Sequence, residues 1–291
     1  MKQAILSIAS LALTAAVLTS PVHAQGSGAK GPEFPQASPA ASFKERIGLT
    51  AVSVEYSRPG VKGRKIFGGL VPFGEVWRTG ANAATKITFS TDVNFGGTAV
   101  GPGDYALFTI PDPSEWTVIL NKVSGQWGAY TYDEKNDAVR VKVKPVAMPE
   151  LLETMTISLN DVHDDSALLT IAWEKTRVAL KIETDTVNVI KEQIDAAMAA
   201  DGKKPYFQSA MFYYEHNLDL KKAVAWMDAA IKEQPDQVWM VYRQGLILAK
   251  AGDKAGALAA AKKSLALAEK AGGASGAEYK HLNEQLIASL K

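Results

Sequence analysis

Residues 85–120 read TKITFSTDVNFGGTAVGPGDYALFTIPDPSEWTVIL, and the period of their apolar positions decides the fold class of the first half of the chain. Ile87 and Phe89 alternate with Lys86, Thr88 and Ser90, the two-residue repeat of a strand with one buried face. Asn94-Phe95-Gly96-Gly97 is a turn, and Gly101-Pro102-Gly103-Asp104 reads as a turn into the next strand, 105–110. The run 116–120 follows after two prolines. Toward the N-terminus Val52, Val54 and Tyr56 alternate with Ser53 and Glu55; toward the C-terminus 139–143, 155–159, 168–173 and 178–182 continue the series. Short strands divided by Gly, Pro, Asn and Asp predict an antiparallel β-sandwich or barrel over 41–184. No interval here holds a crossover helix, which a parallel sheet requires.

After Thr184 the composition shifts toward Ala, Lys, Glu, Leu and Met, and the period becomes helical. Leu220, Ala223, Val224, Met227, Ala230 and Ile231 fall on one helix face. Six helices are predicted, at 187–200, 204–216, 218–233, 238–251, 253–271 and 277–290. Segments 204–237 and 238–271 align without a gap at a period of 34 residues. That period resembles the tetratricopeptide repeat. Phe207, Ala210, Met211 and Tyr214, then Ala223, Met227, Ala230 and Pro235, occupy signature positions in the first unit. The second unit keeps Gly245 and Ala257 but has Ser264 and Glu269 where Ala and Pro are usual. The resemblance implies an all-α repeat domain over 187–291 that docks a protein partner, with 277–290 as its cap; a generic helical bundle is the alternative.

The chain has 291 residues, 47% hydrophobic and 22% charged, with no Cys. A length prior of about 150 residues per domain suggests two domains, and the composition excludes a disordered chain, a collagen and a disulfide scaffold. Lys2 is the one charged residue of 1–24, and the remainder balances at 31 basic and 31 acidic groups. That neutrality argues against a nucleic-acid or membrane-surface binder. Lys2, an apolar run over 4–18, Ser20-Pro21 and Val22-His23-Ala24 form the pattern of a signal peptide, with cleavage between Ala24 and Gln25. The apolar run falls short of the ~20 residues of a membrane span. A periplasmic or secreted protein with no membrane span after cleavage is therefore expected. Residues 25–40, rich in Gly, Ser, Pro and Ala, read as a flexible leader.

Residues 58–82, RPGVKGRKIFGGLVPFGEVWRTGAN, link two strand-like runs and are longer than most connections. Arg58, Lys62, Arg64, Lys65 and Arg78 face one acid, Glu75, in a chain that is neutral elsewhere. Guanidinium forks among glycines suit a carboxylate, phosphate or sulfate, so a small anionic ligand is expected here, with Trp77 and Asn82 completing the candidate set. The alternative is a structural Ω-loop whose arginines pair with acids of the sandwich.

RPGVKGRKIFGGLVPFGEVWRTGANAAT, GPGDYALFTIP, EWTVILNK and QWGAYTYDEKNDAVRVKV resemble the bacterial domain-of-unknown-function 2911 family over roughly residues 36–184. The resemblance implies an exported domain often joined to helical repeats. It brings no established activity and no catalytic residues to carry over.

Other constellations are weighed against simpler readings. Trp127 and Tyr130, in the irregular run Trp127-Gly128-Ala129-Tyr130, are candidates for stacking on a sugar ring or a peptide, whereas Trp116 reads as core. Asp161, His163, Asp164 and Asp165 gather ligands for a hard cation, but their spacing is not that of an EF-hand, and Asx side chains commonly just make the turn. With few His and no Cys a zinc site is not expected. The nucleophile elbow, P-loop, dinucleotide fingerprint and His-Glu-x-x-His helix are all missing, so no cofactor is expected. A ligand-binding protein is thus the leading class. A cell-envelope hydrolase walled by the same loop, and a purely structural assembly protein, are its rivals.

Overall fold

The computed structural model describes residues 32–291; the expected signal peptide and the first residues of the expected leader lie outside them. Among the described residues, ten strands, with one 3-10 turn at Glu134–Asn136, are followed by six α-helices. One sheet has six strands: β1 (Ala40–Ile47), β2 (Thr50–Ser57), β3 (Thr85–Phe89), β6 (Gly103–Ile110), β7 (Trp116–Asn121) and β8 (Asp137–Val143), in that spatial order. The second has four, ordered β5 (Thr98–Val100), β4 (Val93–Phe95), β10 (Ser166–Glu183) and β9 (Val146–Asn160). Every pairing between these strands is antiparallel.

The inward side chains of both sheets form one apolar cluster. Val52, Val54, Ile87, Phe89, Leu107, Trp116 and Leu120 come from the larger sheet, and Phe95, Ile157, Leu169, Trp173, Leu180 and Ile182 from the smaller. This is the sandwich expected from the alternating pattern. The central strands β6 and β7 depart from simple alternation, because they are buried on both faces. Ala106, Phe108 and Ile119 point outward from the sandwich, where Val76, Ala129 and Tyr132 of two long loops cover them. The unbroken run Tyr105-Ala106-Leu107-Phe108 follows from that double coverage.

The smaller sheet differs from the expected strand series in one respect. The runs 168–173 and 178–182 belong to a single strand, β10, interrupted by a bulge at Glu174. Glu174 takes a left-handed backbone angle, φ 57°, which lets the strand resume its pairing with β9 after the shift. β9 also starts well before Met155 and contains Pro149. As the edge strand of its sheet it tolerates a residue without an amide donor.

The helices are α1 (Thr186–Ala199), α2 (Tyr206–Glu215), α3 (Leu220–Glu233), α4 (Val238–Lys250), α5 (Lys254–Ala271) and α6 (Gly273–Ser289). They match the predicted set, except that the last begins four residues earlier. Asp219 caps α3 by accepting from the Lys221 and Lys222 amides, and Asp253 caps α5 through the Gly256 amide. Met227, Tyr213, Met240 and Val241 centre the helical core, with Phe207 and Trp239 in edge-to-face contact at 4.7 Å. The helix pairs α2–α3 and α4–α5 fall one in each 34-residue unit. Strand tips and helices meet where the Leu49 amide donates to Thr186 Oγ1 (3.3 Å) and Asp164 lies 3.2 Å from His216 Nε2.

The β4–β5 hairpin turns on Gly96 and Gly97, both at positive φ (58° and 93°). A Cβ on Gly97 meets nothing, whereas one on Gly96 would press on the side chains of Leu180 and Val141. Gly97→Ala should therefore cost about 1 kcal/mol of backbone strain. Gly96→Ala should cost about 1–3 kcal/mol more, through overpacking. Urea unfolding of both variants measures the gap; equal losses would contradict this packing.

Candidate functional site

The connection between β2 and β3 falls into three parts. Its first part lies along the free edge of β9: the Val61 amide donates to Glu153 O (2.7 Å) and the Met155 amide to Pro59 O (3.0 Å). This backbone pairing covers an edge that would otherwise be open to another chain. Arg58 reinforces it, donating from Nε to Met155 O (2.9 Å) and from Nη2 to Thr156 Oγ1 (2.8 Å). Arg64 turns back on its own loop, with Nε bonded to Val61 O and Nη2 to Gly60 O. Lys62 donates its amide to Glu153 Oε1 and its ammonium to Ala37 O, while Lys65 is exposed. Of the five basic groups expected to form the anion surface, Arg58 and Arg64 thus bond largely to the protein. Their partners are carbonyls and a hydroxyl rather than the acids an Ω-loop reading called for.

The middle part drops Phe67 into the core. Its ring meets Trp116 edge-on at 4.8 Å, Trp77 at 6.0 Å and Trp173 at 6.3 Å. Trp77 in turn stacks on Trp173 at 5.9 Å, with 18° between the planes. Trp77 is accordingly a buried anchor, its indole N–H donating to Gly80 O (3.1 Å).

The third part fixes Arg78. Trp77 and Thr109 of β6 exchange both backbone hydrogen bonds, at 2.7 and 2.9 Å. On the other side of Arg78, Thr79 has a left-handed backbone, φ 54°, which is rare for a β-branched residue. Three contacts hold it there: its hydroxyl lies 3.1 Å from the Thr109 hydroxyl, Thr85 Oγ1 donates to its carbonyl (2.6 Å), and the Thr85 amide donates to Arg78 O (3.1 Å). Strain of this kind persists only where the surroundings over-determine it. The Arg78 guanidinium makes no ion pair among the described residues, and its Nε is buried without a hydrogen-bond partner. It lines a cavity of about 360 Å³ with Arg64, Glu75, Leu70, Trp77 and Trp173.

Asn82, also left-handed (φ 60°), connects this loop to a second one between β7 and β8. Its amide group donates to Ser57 Oγ (3.2 Å) and its carbonyl accepts from the Gly128 amide (3.1 Å). Trp127 and Tyr130 sit on this second loop, 66% and 83% exposed, and neither lines the Arg78 cavity. The loop itself is held firmly. Asn121 is fully buried and donates to Asp133 O and Asp137 Oδ1; Gln126 donates to Asn121 Oδ1 (3.1 Å); Tyr132 donates to Asp137 Oδ2 (2.6 Å). Arg140 closes the network against Asp137 and Glu134.

The acidic turn between β9 and β10 does not assemble a metal site. Among the described residues no group of three or more His, Asp and Glu is placed to hold an ion. Asp165 accepts from Ser166 and Thr184, the His163 amide donates to Ser166 O, and Asp164 faces His216. Asp161 sits in the turn at φ 47°. No described helix is long and apolar enough to cross a membrane.

Burial, followed by the hydrogen bond to Asp137, pushes the Tyr132 hydroxyl above the ordinary tyrosine pKa of 10.0. The folded state therefore favours the neutral phenol, and this contribution is whole below pH 10 and falls as pH rises above it. Unfolding curves between pH 8 and 11 should show the decline in the wild type and a shallower one in Tyr132→Phe. Identical slopes would place the phenol outside the network.

Comparison with known proteins agrees with the fold boundary and adds no activity. No curated protein and no solved structure matches the chain. Residues 38–182, which span the sandwich and the loop that carries Arg78, match the sequence model of the family described as "Protein of unknown function (DUF2911)".

Proposed function

We propose that the β domain binds a small anionic ligand at Arg78. The observation that carries the reading is the buried, unpartnered Nε of Arg78, on a side chain that lines a cavity of about 360 Å³. A buried donor left without a partner costs about 1–3 kcal/mol, and a charged one more. Ser209, His216 and Asn283 also have a buried side-chain atom without a hydrogen-bond partner, but none of them lines the Arg78 cavity, where an anion could supply the missing acceptor. The clamp on Trp77 and Thr79 adds preorganisation, since the guanidinium is held on rigid backbone before any ligand arrives.

Binding is favoured over hydrolysis by the cavity lining. Ser38 and Glu75 are there, but among the described residues they share no hydrogen bond that would activate a nucleophile. The 34-residue period and the two matching helix pairs support a tetratricopeptide-like unit over 187–291 that docks a protein partner. The leader pattern of 1–24 supports export to the periplasm or medium.

Two arginines of one loop should then respond in opposite ways. Arg58→Ala removes two hydrogen bonds that pin the loop to β9, and should lower stability by about 1–3 kcal/mol. Arg78→Ala removes no side-chain hydrogen bond among the described residues, should change stability by less than about 1 kcal/mol, and should abolish any thermal shift produced by carboxylate, phosphate or sulfate anions. A folded Arg78→Ala protein that keeps the anion-induced shift, or one as unstable as Arg58→Ala, would contradict the reading.

A further inference from the structure

We infer that the Arg78 cavity selects a monocarboxylate carried on an apolar body, in preference to phosphate or sulfate. The inference rests on the anion-binding reading above and names the ligand class that the lining favours. Three observations point to it.

The first is the supply of donors. Arg64 has already used Nε and Nη2 on the Val61 and Gly60 carbonyls, and the Ala81 amide is bonded to Ser57 O (3.3 Å). Arg78 alone brings an uncommitted fork. One planar guanidinium can engage both oxygens of a carboxylate, whereas it reaches only two oxygens of a phosphate or sulfate and leaves the others to further donors. The second is charge. Glu75 lines the same cavity and carries a negative charge against any second one on the ligand. The two arginines and one glutamate leave an excess of a single positive charge, which a monoanion balances. The third is the wall. Leu70, Val76 and the stacked indoles of Trp77 and Trp173 offer apolar surface beside the guanidinium. The volume lies near the lower end of the range for small-molecule sites, about 300–1,000 Å³.

The same chemistry is presented by a free organic acid and by the C-terminal carboxylate of a peptide ending in an apolar residue. Calorimetry on the full chain, with tryptophan fluorescence as a second readout, separates the possibilities. The probes are 4-methylpentanoate, its neutral amide, inorganic phosphate, sulfate, and a leucine-terminated tetrapeptide with a free or amidated end. The acid or the free-ended peptide should bind, and whichever binds more tightly identifies the source. The matching amide should bind at least about tenfold more weakly, the usual loss when a charge-assisted pair is removed. Phosphate and sulfate should fall behind by a similar factor, and Glu75→Gln should narrow their deficit. Arg78→Lys, which keeps the charge and loses the fork, should weaken the acid.

Phosphate or sulfate binding as tightly as the acid, and lost in Arg78→Ala, would overturn the ligand class while leaving the anion site standing. Equal affinity for acid and amide would likewise overturn the class. No binding by any anion to the folded wild type would overturn both readings.

Discussion

The reciprocal backbone pair between Trp77 and Thr109 is the constraint on which the rest of the β domain depends. It fixes the later part of the 27-residue link from β2 to β3, as the pairing of 59–61 with β9 fixes the first, because the entropy of closing so long a loop must be met by contacts along its length. With it, Trp77 is directed inward onto Trp173, Phe67 closes the aromatic group from the other side, and the outer face of β6 is shielded at Val76. Arg78 lies between Trp77 and Thr79 on backbone held from both sides, and its buried Nε has no partner among the described residues.

The same economy governs the edges and outer face of the sandwich. Backbone from 59–61 covers β9, and the loop between β7 and β8 covers Phe108 and Ile119. That second loop carries few apolar side chains, so its order comes from the Asn121, Gln126, Tyr132 and Asp137 network instead. Every member has a partner, which is the condition under which a buried polar network stabilises rather than weakens a fold. Asn82 couples the two covering loops, so a disturbance at one would reach the other.

Much of this architecture was legible in the residues. The six helices stand close to where the 3.6-residue period put them, because tertiary packing of an amphipathic face and the propensity of Ala, Leu, Lys and Glu agree. The strands β2, β3, β6 and β7 were equally plain. β10 was not, since a bulge at Glu174 breaks the alternation without a glycine or proline to mark it. The site was legible as a region but not as a geometry. Charge counting set Arg58, Arg64 and Arg78 on an equal footing. What separates them is whether a main-chain carbonyl lies within reach, and carbonyls leave no trace in the sequence. Trp173 and Ser38 were hidden for another reason: they reach the cavity from segments far away along the chain.

The proposed anion site turns on one atom, the buried Nε–H of Arg78, which has no partner among the described residues. Nitrogen-15 NMR of the arginine Nε–H groups, assigned with Arg78→Lys, tests it most directly. The account predicts that titration with 4-methylpentanoate shifts the Arg78 Nε–H resonance to lower field and slows its exchange, while the Arg58 and Arg64 signals, already bonded to carbonyls, stay in place. An Arg78 signal that ignores every anion, or that already carries the shift and protection of a bonded group in the free protein, would contradict it.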